Sequence, residues 1–351
     1  MGELNFDEMY KIMEILENYF YIYDYKINET SLQFYVYPKF GKESFKVLST
    51  ILPKLPKNYG IELKPTHGHV LIEIKKEKSG KILNIILLIA TVISTTLTGS
   101  TFYGKFDLIG GFIFSLALMF VLGSHEMGHY LVAKRWRMRT SLPYFIPFPT
   151  IIGTLGAVIK YKGIIPNRRA LFDVGVAGPL TGIAAAVIVL FIGLKLPFKP
   201  EIHGKGEVLL LGNSPLFSLI ATLAGFKSNS FIHPIAFAGW IGLFVTFINL
   251  IPVGQLDGGH ILRAMIGKYS DVVSRIIPFL LIAAGLYIGS YSGHFWIMWG
   301  LITMFFSLYP HPGPVDDDTP LDKKRYAIGI LTFILGLACF TPEFLSYSEI
   351  T

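Results

Sequence analysis

Cysteine is the scarcest residue in this 351-residue chain, present once, as Cys339. A lone thiol excludes an internal disulfide and any metal site built on cysteine. Charge is sparse as well: Asp, Glu, Lys and Arg together are 16% of the residues against 52% hydrophobic, and the mean hydropathy is positive. Soluble domains carry about 25% charged residues, so the deficit excludes a soluble chain of this size and points to a polytopic membrane protein. Residues 1–20 alternate acidic and apolar groups and lack both a basic start and a small-residue cleavage site, so no signal peptide is expected. An Arg- and Ser-rich transit segment is missing too, which favours a prokaryotic plasma membrane. The net charge of +7 does not imply nucleic acid, because the basic residues sit beside apolar runs, as membrane flanks do.

What the chain does have begins with a compact N-terminal stretch. Phe6, Met9, Tyr10, Met13, Leu16 and Phe20 recur at helical spacing, with Asp7, Glu8, Lys11, Glu14 and Glu17 on the other faces. Tyr21–Ile27 and Ser31–Pro38 read as strands around a turn at Asn28 and Glu29, followed by a helix over Lys42–Leu52 and strands over Gly60–Lys64 and His69–Ile74. Residues 1–76 are thus expected to be a small soluble α+β domain. A basic linker and first span fill 77–107, a core 108–268, and three further spans 269–351.

The rest reads as an all-α membrane domain of about seven spans: Ile82–Ser100, Asp107–Val132, Phe172–Leu194, Pro234–Ile251, Val272–Ser290, His294–Leu308 and Tyr326–Phe340. Lys75, Lys76, Lys78, Lys81, Lys134, Arg135, Arg137, Arg139, Lys160, Lys162, Arg168, Arg169, Arg263, Lys268, Arg275, Lys323, Lys324 and Arg325 fall on one alternating set of ends. That places the N-terminal domain in the cytoplasm and the C-terminus outside. Between the second and third spans, Thr140–Tyr161 is apolar but interrupted by Pro143, Pro147 and Pro149. It is expected to form a re-entrant β segment whose edge, Ile151–Val158, an unwound peptide could join; a loop lying on the membrane surface is the alternative. In Leu196–His233, Leu209–Leu211 and Pro215–Leu223 are expected to lie on or dip into the outer face. Gly175, Gly178 and Gly182 read as a close-packing surface between helices.

Chemistry concentrates in Ser124-His125-Glu126-Met127-Gly128-His129, which reads H-E-x-x-H. Residues four apart on a helix lie about 40° from each other around the axis, so both imidazoles can hold one zinc ion while Glu126 activates a water. The apolar run Leu108–Gly123 sets these groups at or near bilayer depth, where ionisable side chains are costly unless paired, metal-bound or hydrated. Two ligands leave a zinc site incomplete. Further on, Pro252 and Gly254 should break a helix just before Asp257, and two imidazoles with zinc would partner that carboxylate. The alternative is that Asp257 caps a short helix in contact with solvent. Asn249 could hydrogen-bond a substrate carbonyl or its oxyanion, or simply bond another helix.

H-E-M-G-H in one membrane helix, with N-L-I-P-V-G-Q-L-D-G in a later one, resembles the site-2 protease family of intramembrane zinc metalloproteases, whose signature is H-E-x-x-H with N-x-x-P-x-x-x-L-D-G. Asn249, Pro252, Leu256, Asp257 and Gly258 fill the second pattern, and Gly153-Thr154-Leu155-Gly156-Ala157 looks like the family's loop before its third core helix. The resemblance, over residues 108–265, implies that His125, His129 and Asp257 bind one Zn2+, that Glu126 is the catalytic base and that Asn249 assists. It implies a transmembrane protein as substrate and the lipid bilayer as partner. Neither a PDZ-like insert nor a nucleotide-binding CBS pair is present; the N-terminal α/β domain and the three trailing spans are similar to the family's chloroplast branch. Homo-oligomerisation stays open. A zinc transporter would string ligands along a path, and a non-catalytic membrane chaperone would have lost Glu126 or a ligand. The acidic run Asp316–Asp318 after His311 is expected to be a solvated loop.

Overall fold

The computed structural model describes residues 6–28, 31–55, 59–66, 69–76, 81–200, 207–227, 230–289, 291–308, 311 and 313–349. The N-terminal part starts with α1 (Phe6–Glu17), β1 (Phe20–Asn28) and β2 (Ser31–Pro38). A short α2 (Val47–Ile51), β3 (Tyr59–Thr66) and β4 (His69–Lys76) complete it. The four strands form one antiparallel sheet in the order β1-β2-β4-β3. Alternation along β2 turns Leu32, Phe34 and Val36 inward, where Ile72 and Ile74 of β4 join Leu16, Leu48 and Ile51. The helix expected over Lys42–Leu52 is shorter and flanked by 3-10 turns at Gly41–Lys46 and Leu52–Lys54. Locally, the Ser44 hydroxyl accepts the Phe40 N–H, a bond that competes with α-helix, and Pro53 prevents its continuation.

Ile164, from far along the chain, belongs to the same apolar cluster as the sheet's core. Its N–H donates to Ile61 O at 3.1 Å. The buried Arg139 guanidinium meets Glu62 at 2.7 Å, and Arg137 donates to the carbonyls of Pro53 and Leu55. Part of the basic charge read as a membrane flank therefore fastens the sheet to the helical part.

Among the described residues, four helices are long and apolar enough to cross a membrane: Ile82–Tyr103, Leu108–Arg135, Arg168–Lys195 and Asp257–Ile288. The first comprises α3 (Ile82–Gly99) and a 3-10 turn; α4 (Leu108–Arg135) follows. A hairpin of β5 (Tyr144–Pro147) and β6 (Thr154–Val158) leads to α5 (Arg168–Lys195). Next come β7 (Glu207–Leu211), α6 (Pro215–Ala224), α7 (Pro234–Leu250), α8 (Asp257–Ile266), α9 (Ser270–Ile288), α10 (Tyr291–Ser307), α11 (Lys323–Ala338) and β8 (Leu345–Glu349). Three of the expected spans, α7, α10 and α11, are helical over 17, 17 and 16 residues. At a rise of 1.5 Å per residue they reach about 24–26 Å, short of the ~30 Å hydrocarbon core.

α3 exposes Ile82, Ile85, Ile86, Ile89 and Ile93, an apolar face suited to lipid. α5 is the inner helix: its Ala186, Val189 and Leu190 pack with Leu118, Val121 and Leu122 of α4 and with Ala236, Trp240 and Leu243 of α7. The expected β segment is present as a hairpin. The Asn84 amide of α3 holds its first leg by donating to Leu142 O and Pro143 O, and β6 exposes Leu155 and Val158. The strand starts at Thr154 rather than Ile151, because Thr150–Gly153 closes a turn through Gly153 N–H to Thr150 O. Leu209–Leu211 belongs to β7, which pairs antiparallel with the C-terminal β8.

Candidate metal centre

The break that the sequence places at Pro252 and Gly254 is real: α7 stops at Leu250, Gly254 adopts φ 52°, and α8 begins at Asp257 itself. Close packing at the break depends on Gly258, where a Cβ would stand 2.1 Å from Leu250 O. α8 is thereby folded back so that Asp257 faces α4.

His125 and His129, one turn apart on α4, are both buried, at 4% and 5% exposure. The Nε2 of His125 lies 3.0 Å from Asp257 Oδ2, and the Nε2 of His129 lies 3.2 Å from Asp257 Oδ1. The two Nε2 atoms are 3.3 Å apart. Ligand atoms ~2.0–2.1 Å from a tetrahedral zinc lie about 3.3 Å from one another, so the triangle has the right size. The donor set also fits: two imidazoles and a carboxylate, with one position open. Among the described residues this is the one cluster of three such donors that could hold a metal ion.

One imidazole has its tautomer fixed. The Nδ1 of His129 is 2.8 Å from Val174 O, and a carbonyl only accepts, so the proton is on Nδ1 and Nε2 offers its lone pair to the metal position. Glu126 stands beside the pair, 8% exposed, and among the described residues makes no side-chain hydrogen bond or ion pair. Asn249 lies on the last turn of α7, half-buried, with no side-chain hydrogen bond among the described residues, and is not one of the three donors.

The glycines of α5, read from the sequence as packing, also make room for the imidazoles. A Cβ on Gly178 would sit 2.0 Å from His129 Nε2, and one on Gly182 would sit 2.8 Å from His125 Nδ1. A second pair of histidines was not visible in the sequence: His260 Nδ1 contacts His311 Nε2 in the loop after α10. That loop is partly buried rather than solvated, since His311 is 9% exposed and Asp317 takes two hydrogen bonds from the buried Arg263.

Comparison with known proteins agrees with this geometry. Residues 113–287 match the description of peptidase family M50. The chain is 33% identical over 230 residues to the probable zinc metalloprotease EGY1, chloroplastic, of Arabidopsis thaliana, covering 63% of this chain and 41% of the relative. It is 32% identical over 228 residues to EGY1 of Oryza sativa subsp. japonica, covering 62% of this chain and 38% of the relative. With EGY2 of Arabidopsis thaliana the identity is 31% over 233 residues, or 65% of this chain and 41% of the relative. The chain thus spans about two fifths of the length of these curated relatives. No solved structure matches it. With the H-E-x-x-H helix, the returning aspartate and the matched core all in agreement, the chain belongs to peptidase family M50, the site-2 proteases.

Proposed function

We propose that this chain is an intramembrane zinc endopeptidase that hydrolyses peptide bonds within or near transmembrane segments of other proteins. The observation that carries the reading is the meeting of His125, His129 and Asp257, from helices 132 residues apart in the chain, in a triangle sized for one tetrahedral ion. Zinc held there would supply Lewis-acid chemistry, acidifying a water and polarising the scissile carbonyl. Glu126 takes the proton of the attacking water and passes it to the leaving nitrogen. Its burial beside the donors, without a competing partner, suits a carboxylate whose lone pairs must be free for that water. Val174 O holds the His129 ring in the orientation that presents Nε2. Asn249 donates to the carbonyl oxygen as it gains charge.

A substrate helix hides its carbonyls in its own hydrogen bonds, so the stretch to be cut must unwind first. The exposed edge of β6, Thr154–Val158, can pair with the unwound stretch and offset part of that cost. The integral-membrane assignment rests on the four long apolar helices; α7, α10 and α11 would complete about seven crossings where the bilayer thins around them. In this reading the membrane is a prokaryotic plasma membrane with the N-terminal sheet on the cytoplasmic side, as the distribution of basic residues favours, while the relatives are chloroplastic. Nucleic acid is not a partner, and self-association is decided by mass measurement in detergent.

The test is metal analysis and cleavage of a reconstituted membrane-spanning substrate by the wild type, Asp257→Ala and Glu126→Gln. The wild type should carry one zinc and cleave. Asp257→Ala should lose both metal and cleavage, and Glu126→Gln should keep the metal and lose cleavage. Undiminished cleavage by Glu126→Gln would sink the mechanism.

A further inference from the structure

The geometry points to His311, on a strap beyond the residues that match the family, as a positioning residue for the third metal donor. This rests on the metal reading above. Asp257 is the first residue of α8, a helix of ten residues entered directly from a chain break, and its N-cap residue, Leu256, offers no side-chain hydrogen bond. Locally the first turn of α8 is held by the His260 N–H to Leu256 O bond and by the close packing of Gly258 and Gly259 on the break, and a side chain that grips the turn from outside adds a further constraint on the carboxylate. His260, in the same turn, is gripped by His311.

The direction of that grip follows from hydrogen-bond chemistry. Gly313 N–H donates to His311 Nδ1 at 3.0 Å, so that nitrogen carries a lone pair and the neutral ring keeps its proton on Nε2. The Nε2–H then donates to His260 Nδ1. With its Nδ1 occupied as donor's target and its Nε2 protonated, His311 has no nitrogen to offer a metal, which sets this pair apart from His125 and His129.

The same strap is anchored again just after its histidine contact. Val315 N–H donates to Ile165 O at 2.9 Å and Asp316 N–H to Pro166 O at 3.0 Å, tying it to the chain entering α5. Asp317 receives both terminal nitrogens of Arg263, two turns along α8 from Asp257, at 2.9 and 2.6 Å. α8 is thus held at His260 and again at Arg263 by one segment. Removing the His260 contact leaves the far end of α8 fixed and loosens the end that bears Asp257, whose remaining holds are the packing of Gly258 and Gly259 and the His260 N–H to Leu256 O bond.

The test uses the purified full chain in detergent, with zinc affinity measured by competition against a chromophoric chelator and the donor geometry read from the visible spectrum of the Co2+-loaded protein. Asp257→Ala is the control for the metal reading itself. His311→Ala should weaken zinc binding on the order of ten-fold and shift the Co2+ bands at saturation. His311→Gln, whose amide can both accept from Gly313 and donate to His260, should recover most of the affinity and the wild-type bands. If His311→Ala does not fold, His311→Leu, which keeps bulk and drops both nitrogens, takes its place in the comparison with His311→Gln. Wild-type affinity and bands in the Ala or Leu variant overturn the inference, as does a glutamine variant no better than alanine. Loss of a second equivalent of zinc in His311→Ala also overturns it, because the pair would then be a metal site in its own right. If Asp257→Ala binds zinc as tightly as the wild type, the metal reading fails first, and that result is told apart by this control. A merely structural His311 would lower the melting temperature without moving the Co2+ bands.

Discussion

Replacing Gly178 by alanine adds a single methyl group, and the structure says where it must go. The new Cβ would lie 2.0 Å from His129 Nε2, 2.4 Å from its Cδ2 and 2.5 Å from its Cε1. Ordinary carbon contacts are about 3.5–4.0 Å, so roughly 1.5 Å must open between α5 and the ring. The ring is pinned by its bond to Val174 O, and the two helices already touch at Gly128, where a Cβ would be 2.6 Å from Ala177 O. Overpacking of this kind costs about 1–3 kcal/mol. On an open helix the same substitution would stabilise by up to ~1 kcal/mol, so the sign of the effect separates steric conflict from helix propensity. Displacing His129 should also weaken zinc binding by about 10–100-fold. Chelator competition for zinc and thermal melts of the metal-free protein measure the two effects separately. A graded series sharpens the test: Gly182→Ala, with a 2.8 Å approach to His125 Nδ1, should be milder, and Gly175→Ala, 3.1 Å from Ile261 Cγ1, milder still. Wild-type affinity in Gly178→Ala, or a larger loss in Gly175→Ala than in Gly178→Ala, would refute the packing argument.

Three other outcomes are expected. Glu126→Gln should lower the cleavage rate by about 10²–10⁴-fold while zinc content stays that of the wild type, as measured by metal analysis of the assayed sample. In the N-terminal sheet, burial would raise the Glu73 carboxyl, but hydrogen bonds from Lys64, Gln33 and Lys75 win and hold it down at about 2. A depressed carboxyl contributes its stability above the unfolded value near 4.5 and loses it as pH falls from there toward 2; amide exchange across β2–β4 should show this loss, and Glu73→Gln should flatten it. Arg325 bonds Asp173 of α5 through two nitrogens at 2.7 Å each, so Arg325→Ala should destabilise the docking of α11 by about 1.5–3 kcal/mol, seen as faster proteolysis in the loop before it, with zinc affinity unchanged.

The donors of the metal centre were legible in the sequence because each announces itself locally. His125 and His129 share a face by their spacing, and Asp257 follows a proline and a glycine that end one helix and let another begin. The hairpin was legible for the same reason, since three prolines forbid a helix there. The glycines facing the imidazoles were not, because an empty volume leaves no mark of its own; Gly178 looks like any other small residue on a packing stripe until the ring it clears is in place. The contact of His260 with His311 joins residues 51 apart, and β7 meets β8 across most of the second half of the chain; neither has a period or a motif. Helix ends were the other weak point. Hydropathy bounds these spans at Pro234–Ile251, His294–Leu308 and Tyr326–Phe340, whereas α10 starts earlier, at Tyr291, and α11 at Lys323, because helix starts depend on turns and caps.

The anchorage of the N-terminal sheet has a mechanical consequence for the hairpin. Arg139 precedes one foot of that hairpin and Ile164 follows the other, and both are fastened to β3, through Glu62 and Ile61. Lys162 N–H closes the same gap by donating to Arg139 O. The two legs therefore share a single footing on β3 and cannot spread apart one at a time. A chain that starts after residue 76 would keep His125, His129, Asp257 and Glu126, yet its hairpin would lose the footing on β3 and keep only the bonds between its own legs, Lys162 N–H to Arg139 O and Ser141 N–H to Lys160 O, with the Asn84 hold on Leu142 and Pro143.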